Sequence, residues 1–180
     1  GMARVPGAIC QVKISGTEVS CGTIGDRPPV GLCGTGVIET ACELLKAELI
    51  DETGMLDEDY FDDGFVLAKT PSGEEISFTQ KDVRAVQLAK AAIYAGIRTL
   101  LHEAGLEPSD VERFVIAGGF GSHINVENAA GIGLFPKELA PKAEVLGNAA
   151  LEGAEMLLQN RSLYESSCRL ADTMETVDLS

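Results

Sequence analysis

The stretch from Phe114 to Ile124 reads FVIAGGFGSHI and constrains the fold more than any other part of the sequence. Apolar residues of strand length run directly into Gly118 and Gly119, with another glycine two positions further on. Glycine has no Cβ, so a turn built from it lets backbone N–H groups approach a phosphate or a ribose. The alternative is a tight connection that binds no ligand. The candidate contacts in this second glycine turn are Gly118, Gly119, Phe120, Gly121 and Ser122.

A first glycine turn, GLCGTG at residues 31–36, separates an extended run from a helical one. Neither turn matches the P-loop, whose last glycine precedes a lysine, because the sequence contains no Gly-Lys pair. Neither turn fits the G-x-G-x-x-G pattern of dinucleotide-binding domains. The same two interpretations, ligand contact or tight connection, therefore apply to both turns. The candidate contacts in the first glycine turn are Gly31, Gly34, Thr35 and Gly36.

Hydrophobic periodicity switches repeatedly between strand and helix along the chain, with glycine and proline at the boundaries. Extended runs predict strands over residues 8–14, 17–24, 65–69, 75–79 and 113–117, the first four as two hairpins. Helical spacing predicts helices from the first glycine turn to Leu49, from a capping box at Thr79 to Gly105, after Asn125, and over 147–158. The weakly periodic end suggests a helix and then a strand over 176–179. These elements predict an α/β domain built on a mixed sheet with flanking helices.

Composition narrows the possible functions. The 180 residues carry a net charge of −14 and contain no Lys/Arg-rich run, which argues against a nucleic-acid partner. No apolar stretch reaches membrane-spanning length, so we expect no membrane insertion and a cytoplasmic location. The five cysteines form no C-x-x-C pair, and neither histidine has a metal-ligand neighbour at a suitable spacing, so the sequence predicts no metal site. It also lacks the G-x-S-x-G motif of serine hydrolases.

Lys90 falls inside the apolar stripe of the longest predicted helix, between Val86 and Ile93. One interpretation is that its stem lies along apolar surface while its ammonium reaches water. The other is that this part of the stripe faces a cleft, where Lys90 and Gln87, one turn earlier, contact a polar ligand. Both interpretations place Lys90 at a boundary between apolar and polar surroundings.

Taken in chain order, the two glycine turns, the long helix and the last helix resemble a known family, the C-terminal domain of the reductive activators of corrinoid-dependent methyltransferase proteins. The resemblance covers nearly the whole chain. The matching stretches are PGAI (6–9), PVGLCGTGVIE (29–39), TQKDVRAVQLAKAAIYAGI (79–97), FVIAGGFGSHIN (114–125) and VLGNAALEGAEMLL (145–158).

That family belongs to the superfamily of acetate and sugar kinases, heat-shock chaperones and actin, so the resemblance implies one lobe of an actin-like, ribonuclease H-like ATPase fold that binds ATP or ADP with Mg²⁺. It implies that Gly118, Gly119 and Gly121 contact the adenosine moiety, and that Gly34, Thr35 and Gly36 contact phosphate or ribose. Gln87 and Lys90 resemble the polar pair that some chaperone relatives use on adenine and ribose. No residue of this chain is nominated as catalytic.

The sequence departs from the superfamily in having no Asp-Gly-Thr or Asp-x-Gly-Thr hairpin. We therefore expect residues 1–180 to be a single nucleotide-binding lobe, with the phosphate-binding part and a 2Fe-2S domain in a preceding segment. The resemblance further implies that the full-length protein returns a Co(II) corrinoid protein, its partner, to Co(I), and that it forms a homodimer. The alternatives are a small-molecule kinase of the same superfamily and a non-enzymatic packing or dimerisation module.

Overall fold

A computed structural model describes residues 1–16, 18–119 and 121–178. Two strands and a short third one, β1 (Ala8–Ser15), β2 (Glu18–Thr23) and β3 (Gly31–Leu32), precede helix α1 (Gly34–Lys46). A hairpin of β4 (Phe65–Lys69) and β5 (Glu75–Phe78) leads into the long helix α2 (Gln80–Glu103). The remaining elements are β6 (Phe114–Ile116), α3 (Val126–Gly131), β7 (Ala143–Val145), α4 (Ala149–Gln159) and α5 (Arg161–Asp172).

The strands form three small sheets. The first has the order β2-β1-β3, in which β1 pairs antiparallel with β2 and parallel with β3, so it is a mixed sheet. The hairpin β4-β5 is antiparallel, and β6 pairs in parallel with β7 from Phe114 opposite Ala143 to Ile116 opposite Val145. Because β3 forms the start of the first glycine turn and β6 runs into the second, the pairing of these two strands determines where the turns lie.

The hydrophobic core lies between the first sheet and the helices that cover it. Helix α1 packs on β1, α3 packs on α1, and the β4-β5 hairpin closes one end of the core. The most buried large side chains include those of Ile9, Val12, Leu44, Phe78 and Leu139. Phe114 of β6 joins this core through Phe135, with ring centroids 4.9 Å apart. The strand before the second glycine turn is thereby tied to the body of the domain.

Helix α2 is attached to this core only along part of its length. Of its apolar stripe, Val83 is buried, and Val86 and Ile97 pack partly against the core. Leu88 is 75% exposed and Leu100 is 55% exposed. Several apolar side chains of α2 therefore have no covering partner within the described residues.

The predicted α/β class is confirmed, and both hairpins, the Thr79 capping box and the Asn125 helix cap are present. The predicted strand ends are off by one residue at most, and three helix boundaries differ by more than one residue: α1 ends at Lys46, α2 ends at Glu103, and α4 begins at Ala149. Strand β7 was not predicted, because its three residues are held in extended form only by pairing with β6. The predicted strand over 176–179 was wrong for 176–178, which have no strand partner, while Leu179 and also Thr17 lie outside the described residues. Within the described part of the chain, no helix has the length and apolar character needed to cross a membrane.

Candidate functional site

The first glycine turn leads straight into the N-terminus of α1. The side chain of the N-cap residue, Cys33, accepts no hydrogen bond from a backbone N–H of the helix, whereas the N-cap side chains of α2, α3, α4 and α5 all accept one. The N–H groups of Gly34, Thr35 and Gly36 have no acceptor among the described residues. Helix N-termini with unsatisfied N–H groups attract anions, because these groups carry partial positive charge.

This turn is held tightly against β1. The Cys33 N–H donates to the Ile9 carbonyl at 3.1 Å, and the Cys33 thiol donates to the same oxygen at 3.2 Å. A Cβ at Gly36 would overlap the Ile9 carbonyl oxygen and would approach Leu32 Cδ2 to 3.2 Å. Packing alone therefore requires glycine at position 36, whatever ligand the turn binds.

The second glycine turn begins where β6 ends. Gly118 has a φ of +104°, which favours glycine, and its N–H donates to the Gly147 carbonyl at 3.0 Å. Among the described residues, a Cβ on Gly118 or Gly119 would meet no atom within 4 Å, whereas one on Gly121 would come within 2.8 Å of Ile116 Cγ2. Phe120 and the Ser122 side chain lie outside the described part of the structure. The open space beside Gly118 and Gly119 is what a ligand approaching the backbone requires.

The two glycine turns meet at one cleft of about 390 Å³. Gly34 and Thr35 line it from the first turn and Gly119 lines it from the second. Met2, Arg4 and Cys33 also line it, and none of the described lining residues carries a carboxylate. Donors, a cation and uncovered backbone therefore face the same space, as an anionic ligand would need.

Gln87 and Lys90 lie together, but at a different cavity, of about 80 Å³, that they share with Gly54 and Ile132. Gln87 Nε2 donates to the Thr53 carbonyl at 3.1 Å, and Arg84 donates to Gln87 Oε1 at 2.6 Å. Lys90 Nζ donates to the Ile132 carbonyl at 2.8 Å. Both side chains thus already have partners within the protein, and their contact with a nucleotide stays a prediction.

Gly31 lines neither of these cavities; it lies beside Met2 and Val30 at a third surface depression. The N-terminal segment passes close by, because the Met2 N–H donates to the Leu32 carbonyl at 2.8 Å and Met2 bridges in parallel to Cys33. Sequence reasoning missed Met2 and Arg4 as lining residues. No spacing signal connects them to the glycine turns, since only this non-local pairing brings them there.

Sequence reasoning also missed a cavity of about 480 Å³, whose lining includes Cys10, Lys13, Glu39 and His123. Glu39 is 6% exposed, and its Oε1 accepts a hydrogen bond from Asn128 Nδ2 at 2.8 Å. Burial raises the pKa of the Cys10 thiol, with Cys33 and Glu39 adding to the effect and Arg4 opposing it. Among the described residues, no group of three His, Cys, Asp or Glu side chains could hold a metal ion.

This mixed α/β lobe, with its small sheets and flanking helices, has the fold of an ASKHA domain. The chain belongs to the family described as the C-terminal domain of RACo, the ASKHA domain, whose model matches residues 1–180.

Two curated relatives and one solved structure agree with this assignment. The chain is 37% identical to the corrinoid activation enzyme RamQ of Eubacterium limosum, over 89% of this chain and 30% of that protein. It is 30% identical to the [Co(II) methylated amine-specific corrinoid protein] reductase of Methanosarcina barkeri, over 95% of this chain and 34% of that protein. A solved reductive activator for corrinoid, iron-sulfur protein superposes on the whole chain with a TM-score of 0.92 and 36% identity, and 31% of that chain is covered. The chain thus spans about a third of the length of these relatives.

Proposed function

We propose that this chain is the nucleotide-binding lobe of an ATP-dependent reductive activator of a corrinoid protein. The observation that carries the proposal is the single cleft at which Gly34, Thr35 and Gly119 meet. The relatives' names support the corrinoid protein as partner. The proposal includes a longer protein whose other segments carry a 2Fe-2S cluster and the second wall of the nucleotide site.

In this lobe, the glycines would allow the adenosine moiety to lie against the backbone of the second glycine turn. The N–H groups of Gly34, Thr35 and Gly36 would donate to phosphate oxygens, for which they have no competing acceptor among the described residues. None of the described lining residues carries a carboxylate, and we assign Mg²⁺ coordination and the general base to the second wall. ATP hydrolysis then requires groups from the second wall.

Nucleotide binding would serve electron transfer by changing the relative positions of domains. A ligand shifts such an equilibrium only as far as it binds one arrangement more tightly than the other. In the arrangement that ATP favours, a reduced iron-sulfur cluster of the longer protein would supply the one electron that returns Co(II) to Co(I). The five cysteines in this chain are unpaired thiols, which suits a reducing cytoplasm, and a homodimer is part of the same proposal.

Calorimetric titration of ATP and ADP with Mg²⁺, into this chain and into the protein extended to the length of its relatives, tests the proposal. We expect the extended protein to bind both nucleotides and to release phosphate with no acceptor substrate present, and this chain alone to hydrolyse no ATP. Phosphate transfer to a small acceptor would instead identify a kinase. Failure of the extended protein to bind either nucleotide would leave the glycine turns as packing elements and would refute the proposal.

A further inference from the structure

Arg4 lines the cleft between the two glycine turns, and nothing in the sequence patterns singled it out. Its side chain is exposed and makes no hydrogen bond or ion pair with another described residue. By contrast, Arg84, Arg98 and Arg113 each contact a partner within the protein. Arg4 is therefore a cation at the cleft with its donors available.

The backbone that carries Arg4 is fixed on both sides. Two residues earlier, the Met2 N–H donates to the Leu32 carbonyl at 2.8 Å. Three residues later, the Gly7 N–H donates to the Ile24 carbonyl at 2.9 Å. Arg4 thus projects from a short span anchored beside the N-terminus of α1.

The charge distribution favours an anion in the Arg4 cleft and not in the neighbouring cavity of about 480 Å³. The protein has a net charge of −14, yet no aspartate or glutamate of the described ranges lines the Arg4 cleft. The 480 Å³ cavity nearby is lined by Glu39 and Glu127 as well as Lys13. In an acidic protein, a cleft that combines an arginine with unsatisfied helix N–H groups is a site where an anion gains favourable electrostatic energy.

We propose that Arg4 binds the phosphate groups of the nucleotide and makes the cleft select nucleotides over nucleosides. This inference rests on the proposed nucleotide-binding function. A guanidinium binds phosphate oxygens through two parallel N–H groups, a geometry that an ammonium cannot reproduce. Arg4 and the N–H groups of Gly34 to Gly36 would hold the phosphates from two sides.

The experiment is a titration of ATP and adenosine, with Mg²⁺, into the protein extended to the length of its relatives, as wild type and as three variants, Arg4→Gln, Arg4→Lys and Arg27→Gln. Arg27 is the matched control, because it is also exposed but does not line the cleft. Loss of a charge-assisted hydrogen bond predicts that Arg4→Gln weakens ATP binding by about 10- to 100-fold and leaves adenosine binding within about twofold. Arg4→Lys should fall between wild type and Arg4→Gln, and Arg27→Gln should match wild type. Melting temperatures should be the same for all four proteins.

The outcomes separate the two proposals. If wild type binds ATP and adenosine but Arg4→Gln behaves like Arg27→Gln, the assignment of Arg4 is wrong while nucleotide binding stands. Equal weakening of ATP and adenosine by Arg4→Gln would also overturn it, because a phosphate contact cannot affect a nucleoside. If the extended wild-type protein binds neither ligand, the proposed nucleotide-binding function fails and the Arg4 assignment fails with it.

Discussion

The side-chain amide of Asn128 donates a hydrogen bond of 2.8 Å to Oε1 of Glu39, and both residues are buried. Glu39 lies on α1, directly after the first glycine turn, and Asn128 lies on α3, a few residues after the second. Asn128 Oδ1 in turn accepts a hydrogen bond from Lys46 at 3.0 Å. This polar link joins the two helices that follow the glycine turns, and so it helps to determine the spacing between the turns.

Asn128→Ala should lower the free energy of unfolding by about 2 kcal/mol, because it leaves the buried Glu39 carboxylate without its donor. Asn128→Asp should lower it further, since a second carboxylate would face Glu39. Urea denaturation measures both effects. Asn148→Ala is the control: Asn148 is the exposed N-cap of α4, and its loss should cost about 1 kcal/mol. A smaller effect at Asn128 than at Asn148 would contradict the role of the link.

Gly36→Ala should destabilise the fold by at least about 2 kcal/mol, because the new Cβ overlaps the Ile9 carbonyl oxygen. The matched change is Gly153→Ala in α4, where a Cβ meets no atom within 4 Å and helix propensity should make the variant equally or slightly more stable. Thermal unfolding of the two variants compares them directly. Equal melting temperatures would show that the close approach of α1 to β1 is not required.

Gly119→Val, unlike Gly36→Ala, should leave the stability of the fold unchanged and weaken nucleotide binding. Its side chain would enter open space at the cleft, so we expect the melting temperature to stay near that of wild type. ATP affinity should fall at least about tenfold, since the side chain occupies space proposed for the nucleotide. Calorimetric titration and a thermal melt on the same sample test this. Retained affinity would remove the second glycine turn from the proposed site.

Glu43 makes stability depend on pH in the acidic range. Burial alone would raise the pKa of its carboxyl, but hydrogen bonds from Lys46 Nζ and the Ile14 N–H, with the charges of Lys46 and Lys13, bring the pKa below the ordinary 4.5. A lowered pKa in the folded state means that the contribution is present above pH 4.5 and is lost as the pH falls through the folded-state value.

The free energy of unfolding should therefore drop more steeply below about pH 4.5 in wild type than in Glu43→Gln. Urea denaturation at a series of pH values measures the two curves. Glu144→Gln is the control, because the pKa of Glu144 is also lowered, chiefly by its hydrogen bond to Arg113, but that pair lies at the surface. Parallel curves for wild type and Glu43→Gln would show that Glu43 does not contribute.

Lys90→Met should lower the free energy of unfolding by about 1 kcal/mol, because it removes the hydrogen bond to the Ile132 carbonyl while keeping the apolar stem. Lys81→Met on the exposed side of α2 has no such bond and should cause no measurable loss. Denaturation of both variants gives the difference, and ATP titration of Lys90→Met shows whether Lys90 also binds nucleotide. Equal stability of the two variants would refute the structural role.

Several parts of the fold followed from local sequence. The Thr79 cap was predictable because Thr79 and Asp82 satisfy each other's backbone N–H groups within a single turn. Strand β7 was not predictable, since its extended form depends on β6, which lies nearly thirty residues earlier. The tail strand was predicted from apolar residues that find no pairing edge within the described residues.

The candidate site likewise has one part that local sequence predicts and another that it does not. The sequence alone determined the two glycine turns, because the absence of a Cβ and the strand-to-helix transition are properties of a few consecutive residues. Only the tertiary structure decided that Gly34, Thr35 and Gly119 share one cleft with Arg4, while Gln87 and Lys90 lie at another. The reason is that strand pairing and helix packing join residues far apart in the chain, and no short-range pattern records which of them will meet.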